Sequence, residues 1–379
     1  MSKRAIVFGV HAWGGPFQLG AHHLARALAR AGYDVLYIAP PLSPPHAFGI
    51  FLPRMRARWT EYFAPPRQSG VRVLAPFTWT PLSGKWGASD DRALTSWPRH
   101  TTPSLARRLQ ELGFAEPDLA LIDGPLQFAA AQMARPKHLV MRVFDRFEEM
   151  PGATPALLRL AHTAAKAADL VVCSAATLEH DAHALGARRV LVLSNGVDVD
   201  QFAPERPPPA EYQQIPRPRA IYVGQTGPLF DGQMLARVAA ERPQVSFVLI
   251  GPRPPQPALA NLPNVHALGP IAWARLPAFL QHADVGLIPF AVAQNAAYVE
   301  GINPLKLYEY LAAGLPAVCT RWSELARIGA PCVTLADADE FGAALDRVLT
   351  DQHDPETARQ FARAHSWDAR VRQLLAVLD

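Results

Sequence analysis

Short apolar runs alternate along this chain with longer stretches in which apolar positions recur every three or four residues. The runs at 5–10, 35–39, 119–122, 139–142, 170–173 and 190–193 are too continuous for half-exposed strands and suit strands buried on both faces. Helical periodicity fills several gaps between them, as at 22–31, where Gly32 supplies a stop. A proline-rich stretch, 202–219, carries Pro204, Pro207, Pro208, Pro209, Pro216 and Pro218 and shows neither period, so a stiff linker is expected there. Beyond it the alternation restarts, with strands at 220–223, 246–250, 285–288 and 317–320 and helices at 234–241 and 304–313. Strand–helix alternation of this kind gives right-handed parallel crossovers. The expected architecture is α/β, with two facing, doubly wound Rossmann-like domains and a cleft between them. Their expected bounds are 1–199 and 200–359, with a C-terminal helix at about 360–379 able to pack back on the first.

A length of 379 residues suits two such domains. No run of eighteen apolar residues occurs, and the N-terminus lacks the pattern of a cleaved leader. Cys173, Cys319 and Cys332 are isolated, which suits reduced thiols and a cytoplasmic location. The net charge of +4 hides an asymmetry. Residues 1–199 hold 22 Lys and Arg against 15 Asp and Glu, and the remainder holds 15 against 18. Much of the excess lies in 50–73, where Arg54, Arg56, Arg58, Arg67 and Arg72 face only Glu61 and are interleaved with Phe51, Leu52, Trp59, Tyr62 and Phe63. Such a mixture suits either peripheral contact with an anionic inner membrane face or a solvated arginine face. The excess is local and accompanies no nucleic-acid module, so no nucleic-acid partner is expected.

The most informative segment is 303–316. Asn303 is a good N-cap, Pro304 suits the first helical position, and Gly314 suits the left-handed position past the last turn. Lys306 then falls in the first turn, where a cation opposes the helix dipole. It is also the only lysine after Lys166. An anion at the helix N-terminus reverses that penalty, because ammonium and free amides converge on it. A nucleoside diphosphate is such an anion, and Glu309, one turn on, can accept hydrogen bonds from ribose hydroxyls. A surface Lys–Glu pair is the plainer alternative.

This run, with residues 282–290 before it and Ser194-Asn195-Gly196-Val197-Asp198 earlier, resembles the GT-B glycosyltransferases, in particular the xanthan glucuronosyltransferase and related exopolysaccharide and teichuronic-acid type transferases. The resemblance covers most of 120–320. It implies a nucleotide-sugar donor, with a UDP-sugar expected, and a glycan, lipid-linked or small-molecule acceptor. It also implies that Lys306 grips the phosphates and that Glu309 reaches the ribose or base. Asn303 and Leu305 flank them, Gly224, Gln225 and Thr226 line the nucleotide, and Phe290 lies against the base. Two departures stand out. Those enzymes have glutamine at the position of Glu309. Retaining relatives place two glutamates eight residues apart, whereas Gly301 stands eight before Glu309, with Glu300 one residue off.

Inverting sugar transfer needs a base for the acceptor hydroxyl. Asp145, just past the 139–142 strand, matches the aspartate that serves in the xanthan-type enzymes; Arg142 and Arg146 beside it would lower its pKa. The acceptor side is expected to include Asp123, Arg142, the glycines Gly14 and Gly15 of the first strand–helix loop, and His22 and His23 at the helix start. That loop lacks the spacing of a dinucleotide fingerprint. No metal or other cofactor is expected, since no D-x-D pair lies near the donor segment; Asp337 and Asp339 read as caps of the next helix. The alternatives are a retaining transferase of the family 4 type, a sugar-nucleotide 2-epimerase, and a non-catalytic GT-B nucleotide-binding subunit.

Overall fold

The computed structural model describes residues 2–15, 18–47, 53–80, 82, 91–150 and 153–378. The chain divides into two compact units, Met1–Ser194 with Trp367–Asp379, and Asn195–Ser366.

The first unit is built on strands β1 Arg4–Phe8, β2 Asp34–Ile38, β3 Arg67–Gln68, β4 Val71–Leu74, β5 Leu119–Ile122, β6 His138–Val143, β7 Leu170–Cys173 and β8 Val190–Val192. They lie in the order β3-β4-β2-β1-β5-β6-β7-β8, and only the two-residue edge strand β3 runs antiparallel. The second unit holds β9 Arg219–Val223, β10 Ser246–Ile250, β11 Val265–Gly269, β12 Val285–Ile288, β13 Ala317–Thr320 and β14 Val333–Ala336, in the order β11-β10-β9-β12-β13-β14, all parallel. Both sheets reverse direction beside their first strand, between β1 and β5 and between β9 and β12. Crevices at the carboxyl ends of strands open at such switch points. The central strands are apolar because helices cover both faces; in β1 every residue from Ala5 to Phe8 is fully buried.

The unit boundaries differ from the sequence expectation. The proline-rich stretch is not a linker. Phe202, Tyr212 and Ile215 are buried in the core of the second unit, and the Tyr212 hydroxyl donates to the Phe279 carbonyl at 3.0 Å. Three apolar anchors among the prolines are enough to lay the segment down, so the first crossing falls at 194–195. The return crossing falls at 366–367. Helix Pro355–Ala364 packs on helix Leu305–Ala312 of the second unit, whereas helix Trp367–Leu378 packs on helix Gly20–Arg30 of the first, with Trp367 stacked on His23 at 5.4 Å. Asp337 and Asp339 cap nothing; they face Arg321 and Arg237 across 3.5 Å ion pairs, and Glu340 occupies the N-cap of helix Phe341–Thr350.

Four strands escape the apolar-run criterion, β3, β4, β11 and β14. Each lies at or next to a sheet edge, and β4, β11 and β14 are only partly covered. In β4, Arg72 alternates with buried valines and pairs with Asp34, so polar positions interrupt the run.

The second switch point is tightly built. A β-carbon on Gly251 would lie 1.9 Å from the Gly224 carbonyl oxygen, a backbone atom that no rotamer change can move. Gly251→Ala is therefore expected to lower stability by about 3 kcal/mol. Gly32→Ala, at φ +91° with open space around it, should cost only the left-handed backbone penalty of about 1–2 kcal/mol. Denaturant unfolding followed by circular dichroism compares the two; equal losses would contradict the close approach.

Candidate functional site

Helix Leu305–Ala312 follows β12 and carries the charged pair singled out in the sequence. Leu307, Tyr308, Tyr310 and Leu311 bury one face, which leaves Lys306 and Glu309 partly buried on the other. The C-terminal signal acts as expected. Gly314 has φ +78°, its N–H reaches the Leu311 carbonyl, and the Leu315 N–H reaches that of Tyr310, a Schellman closure.

The N-terminal signal does not. Pro304 itself is the N-cap, with no side-chain cap. Asn303 is buried one residue earlier, where its Oδ1 accepts the Asn195 N–H at 3.1 Å and its Nδ2 donates to Glu324 at 3.0 Å. The carboxamide is committed to the start of the second unit, and the first helical amides go without a side-chain acceptor. Among the described residues, the N–H groups of Leu305 and Lys306 have no protein acceptor.

The Lys306 ammonium lies over two aromatic faces, 4.4 Å from the Tyr222 ring centre and 4.9 Å from that of Phe290. It is the nearest atom to where a Gly224 β-carbon would stand, at 2.8 Å. Among the described residues it makes no ion pair and no hydrogen bond. Burial pushes its pKa down to about 8, with the Glu309 carboxylate pulling the other way. Glu309 is pushed up to about 7 by burial, opposed by the Trp273 indole N–H, 3.4 Å away, and by Lys306. A partly desolvated ammonium held by ring faces, beside unpaired helix amides, is an incomplete electrostatic set that an anion completes.

Its surroundings combine residues expected from the sequence, Gly224, Thr226 and Phe290, with groups given no role there, such as Tyr310 and Gly286. β9 and β12 pair only at Val285–Ala220 and Gly286–Ile221. Past that point, Tyr310 Oη accepts the Val223 N–H at 3.1 Å and donates to the Leu287 carbonyl at 3.2 Å, spanning the divergence. Its ring lies against Gly286, where a β-carbon would meet it at 2.4 Å. In the loop after β9, Gly224 has φ +151°, Tyr222 donates to the Gln225 carbonyl, and the Thr226 hydroxyl lies 3.0 Å from both the Arg253 and Pro254 carbonyls. Phe290 is 7% exposed and stacks on Trp322 at 5.4 Å, so its ring is a wall beneath Lys306 more than an open platform. Tyr222, Trp273 and Trp322 carry no motif; only the fold brings them here.

In the first unit, the structure gathers Asp123, Arg142, His22, Gly14 and Gly15 around the first switch point. Asp123 and Arg142 form a buried pair at 2.6 Å. The guanidinium presses on Gly20, where a β-carbon would lie 2.5 Å from it.

The histidines depart from their expected role. His22, the third residue of its helix, accepts the N-cap Leu19 N–H at Nδ1 and contacts the Ala12 carbonyl through Nε2 at 3.1 Å. This is the place a glutamate takes in a capping box, and burial lowers the pKa to about 4, so the ring is neutral. His23 is buried beneath Trp367. Both are core side chains rather than open acceptor contacts.

The loop is held by a residue not anticipated: Glu61, buried, accepts the Gly14 N–H, and its pKa is raised by burial. Asp145 lines a separate pocket of about 250 Å³ with Arg146, Glu148, Glu149, His162 and Asp181. The arginines flanking it are engaged, Arg142 with Asp123 and Arg146 with Asp181 at 3.0 Å. Among the described residues no group of three or more His, Cys, Asp and Glu converges as metal ligands, and no helix is long and apolar enough to cross a membrane.

Comparison with known proteins agrees in kind. Residues 18–201 match the model of the glycosyltransferase family 4, and residues 230–376 match a glycosyl transferase-like model. A putative teichuronic acid biosynthesis glycosyltransferase of Bacillus subtilis, TuaH, is 28% identical over 225 residues, covering 55% of this chain and 56% of that relative's length. A sucrose-phosphate synthase from Thermosynechococcus elongatus superposes with a TM-score of 0.69 at 17% identity, over 99% of this chain and 98% of that one. The Anabaena protein HepE, solved in complex with UDP-glucose, gives 0.67 at 16% identity over 99% of each chain.

The two pKa values set the pH dependence of anion binding. Glu309 gains a negative charge as pH rises through about 7, and Lys306 loses its positive one through about 8. Both changes disfavour an anion. Calorimetric affinity for pyrophosphate should therefore fall across this range, by up to about tenfold per pH unit once Lys306 begins to titrate. Lys306→Ala should remove the upper inflection, and a flat profile would exclude an anion at this ammonium.

Proposed function

We propose that this chain is a GT-B glycosyltransferase, a reading supported by the glycosyltransferase models and relatives it matches, and that it moves a sugar from a UDP-sugar to a glycan or lipid-linked acceptor with inversion and without a metal. The observation that carries the reading is the partly buried Lys306 ammonium, which among the described residues makes no ion pair, at a helix start whose first amides have no acceptor among those residues. A pyrophosphate there meets a charge-assisted donor and the positive end of a helix together. Glu309, held by Trp273, faces the ribose, and the clamped loop at Gly224 allows close approach of the diphosphate.

In the reaction, Asp145 takes the proton from an acceptor hydroxyl as its oxygen bonds to the anomeric carbon. The bond from that carbon to the phosphate oxygen breaks, and its electron pair leaves with the nucleoside diphosphate. Lys306 and the helix amides stabilise the developing charge. A glycan acceptor draws support from the teichuronic acid role named for the Bacillus relative. The inverting assignment draws support from Glu300, which accepts both the N–H and the hydroxyl of Ser323 and so is already engaged.

Two variants separate the roles. Lys306→Ala should raise the donor KM by about 10–100-fold, the loss of a charged hydrogen bond. Asp145→Asn should lower kcat by about 10²–10⁴-fold while donor Kd is kept. Full turnover in either variant removes that residue from the mechanism, and NMR of the anomeric product showing retention overturns the base altogether.

A further inference from the structure

Among the described residues, two large apolar side chains stand well out of the surface, Phe63 at 74% and Trp79 at 63% exposure. They are not scattered. Phe63 touches Tyr62 and Trp59, with ring centres 5.1 and 5.9 Å apart; Tyr62 meets Phe77 at 6.2 Å, and Phe77 meets Trp79 at 5.2 Å. Five aromatic rings from two separate segments form one continuous patch. Its polar ends are tied down, since the Tyr62 hydroxyl donates to the Thr102 carbonyl at 3.0 Å and the Trp79 indole to the Thr102 hydroxyl at 2.9 Å. Exposed rings held this way are presented outward, because their N–H and O–H groups need no water.

The charge around the patch has one sign. In helix Pro53–Phe63, Arg56, Trp59, Thr60 and Phe63 share a face by their spacing, and Arg56 is exposed. Arg99 is exposed next to His100, whose carbonyl takes the Trp79 N–H at 3.0 Å. Not every arginine of the basic stretch takes part: Arg58 donates to the Pro40 and Pro41 carbonyls, and Arg72 pairs with Asp34. Ile50, Phe51 and Leu52, and the side chains of Arg54 and Arg67, lie outside the described set. The decisive residue is Glu61. It is the sole acid between 50 and 73, and it is buried, spent on the Gly14 amide. The surface is thus aromatic and cationic, with no carboxylate from its own segments.

We propose that this patch seats the first unit on an anionic lipid surface, with Phe63 and Trp79 at headgroup depth and Arg56 and Arg99 against the phosphates. Tryptophan, tyrosine and phenylalanine beside arginine match both layers of such an interface. A second copy of the chain fits poorly, because two cationic patches repel.

The test is co-sedimentation of the full chain with vesicles of equimolar phosphatidylglycerol and phosphatidylcholine, against phosphatidylcholine alone, at low and high salt. The expected result is binding to the anionic vesicles that salt weakens. Arg56→Gln and Arg99→Gln should each reduce it by about fivefold, and Phe63→Ser with Trp79→Ser should abolish it. These two side chains are exposed, so the melting temperature of the double variant should stay at the wild-type value. Undiminished sedimentation of the double variant, equal binding to neutral vesicles, or no binding by the wild type overturns the proposal. So does a patch that proves to hold a protein partner while ignoring vesicles.

Discussion

The second unit is organised around one unneutralised charge. Lys306 sits over the rings of Tyr222 and Phe290 and makes no ion pair among the described residues, although the Glu309 carboxylate acts on it through space. Ring faces can hold an ammonium but do not satisfy it as an anion would. The neighbouring structure keeps that arrangement from collapsing. Gly224 leaves room for the amine, Gly251 lets the next strand end approach, and Tyr310 ties β9 to β12 just where they separate. Gly286 in turn makes space for the Tyr310 ring. Each is a local concession in packing, and together they keep the ammonium over the two rings.

The first unit shows what the same problem looks like when the protein solves it alone. Arg142 also lies against a helix start, at Gly20. There Asp123 lies 2.6 Å away and both side chains are nearly inaccessible. An internal anion offsets the guanidinium, and the pair fixes the packing of β5, β6 and the first helix without needing a ligand. Position at a switch point therefore does not by itself make a binding site. What separates the two is whether the counter-charge is built in.

The same contrast explains what could be read from the sequence. Central strands such as β5, β7, β10, β12 and β13 were legible to the residue because double-sided burial leaves an unbroken apolar run. Of the strands at or next to an edge, β8 was, because its run stays apolar, whereas β3, β4, β11 and β14 were not, since solvent on one side admits residues such as Arg72. Lys306 stood out because a lone lysine in a first turn violates a local rule, and the structure places its ammonium over two aromatic faces. Asn303 and His23 misled because tertiary contacts claimed their side chains, and His22 because it caps its own helix from within. Tyr222, Trp273 and Trp322 were invisible, since an aromatic residue in a sequence carries no sign of whether it faces core or ligand. Glu61 was counted as one charge among arginines; its burial changes both the loop it holds and the surface it leaves behind.

Glu309 shows how burial can give a carboxyl the hydrogen-bonding pattern of an amide. A glutamine, the residue expected here from the sequence resemblance, offers one acceptor oxygen and one donor nitrogen. Burial raises the Glu309 pKa to about 7, so the protonated carboxyl is accessible near neutrality. One oxygen faces the Trp273 indole N–H and must act as acceptor. In the neutral form the other oxygen bears the proton and acts as donor, which reproduces the amide's pattern. The Trp273 contact thus does for the carboxyl what covalent structure does for the amide: it distinguishes the two ends. A hydroxyl-rich ligand such as ribose can meet either form, because each of its groups both donates and accepts. That likeness to an amide lasts only while the site stays dry enough to keep the carboxyl neutral, and the same burial lowers the Lys306 pKa.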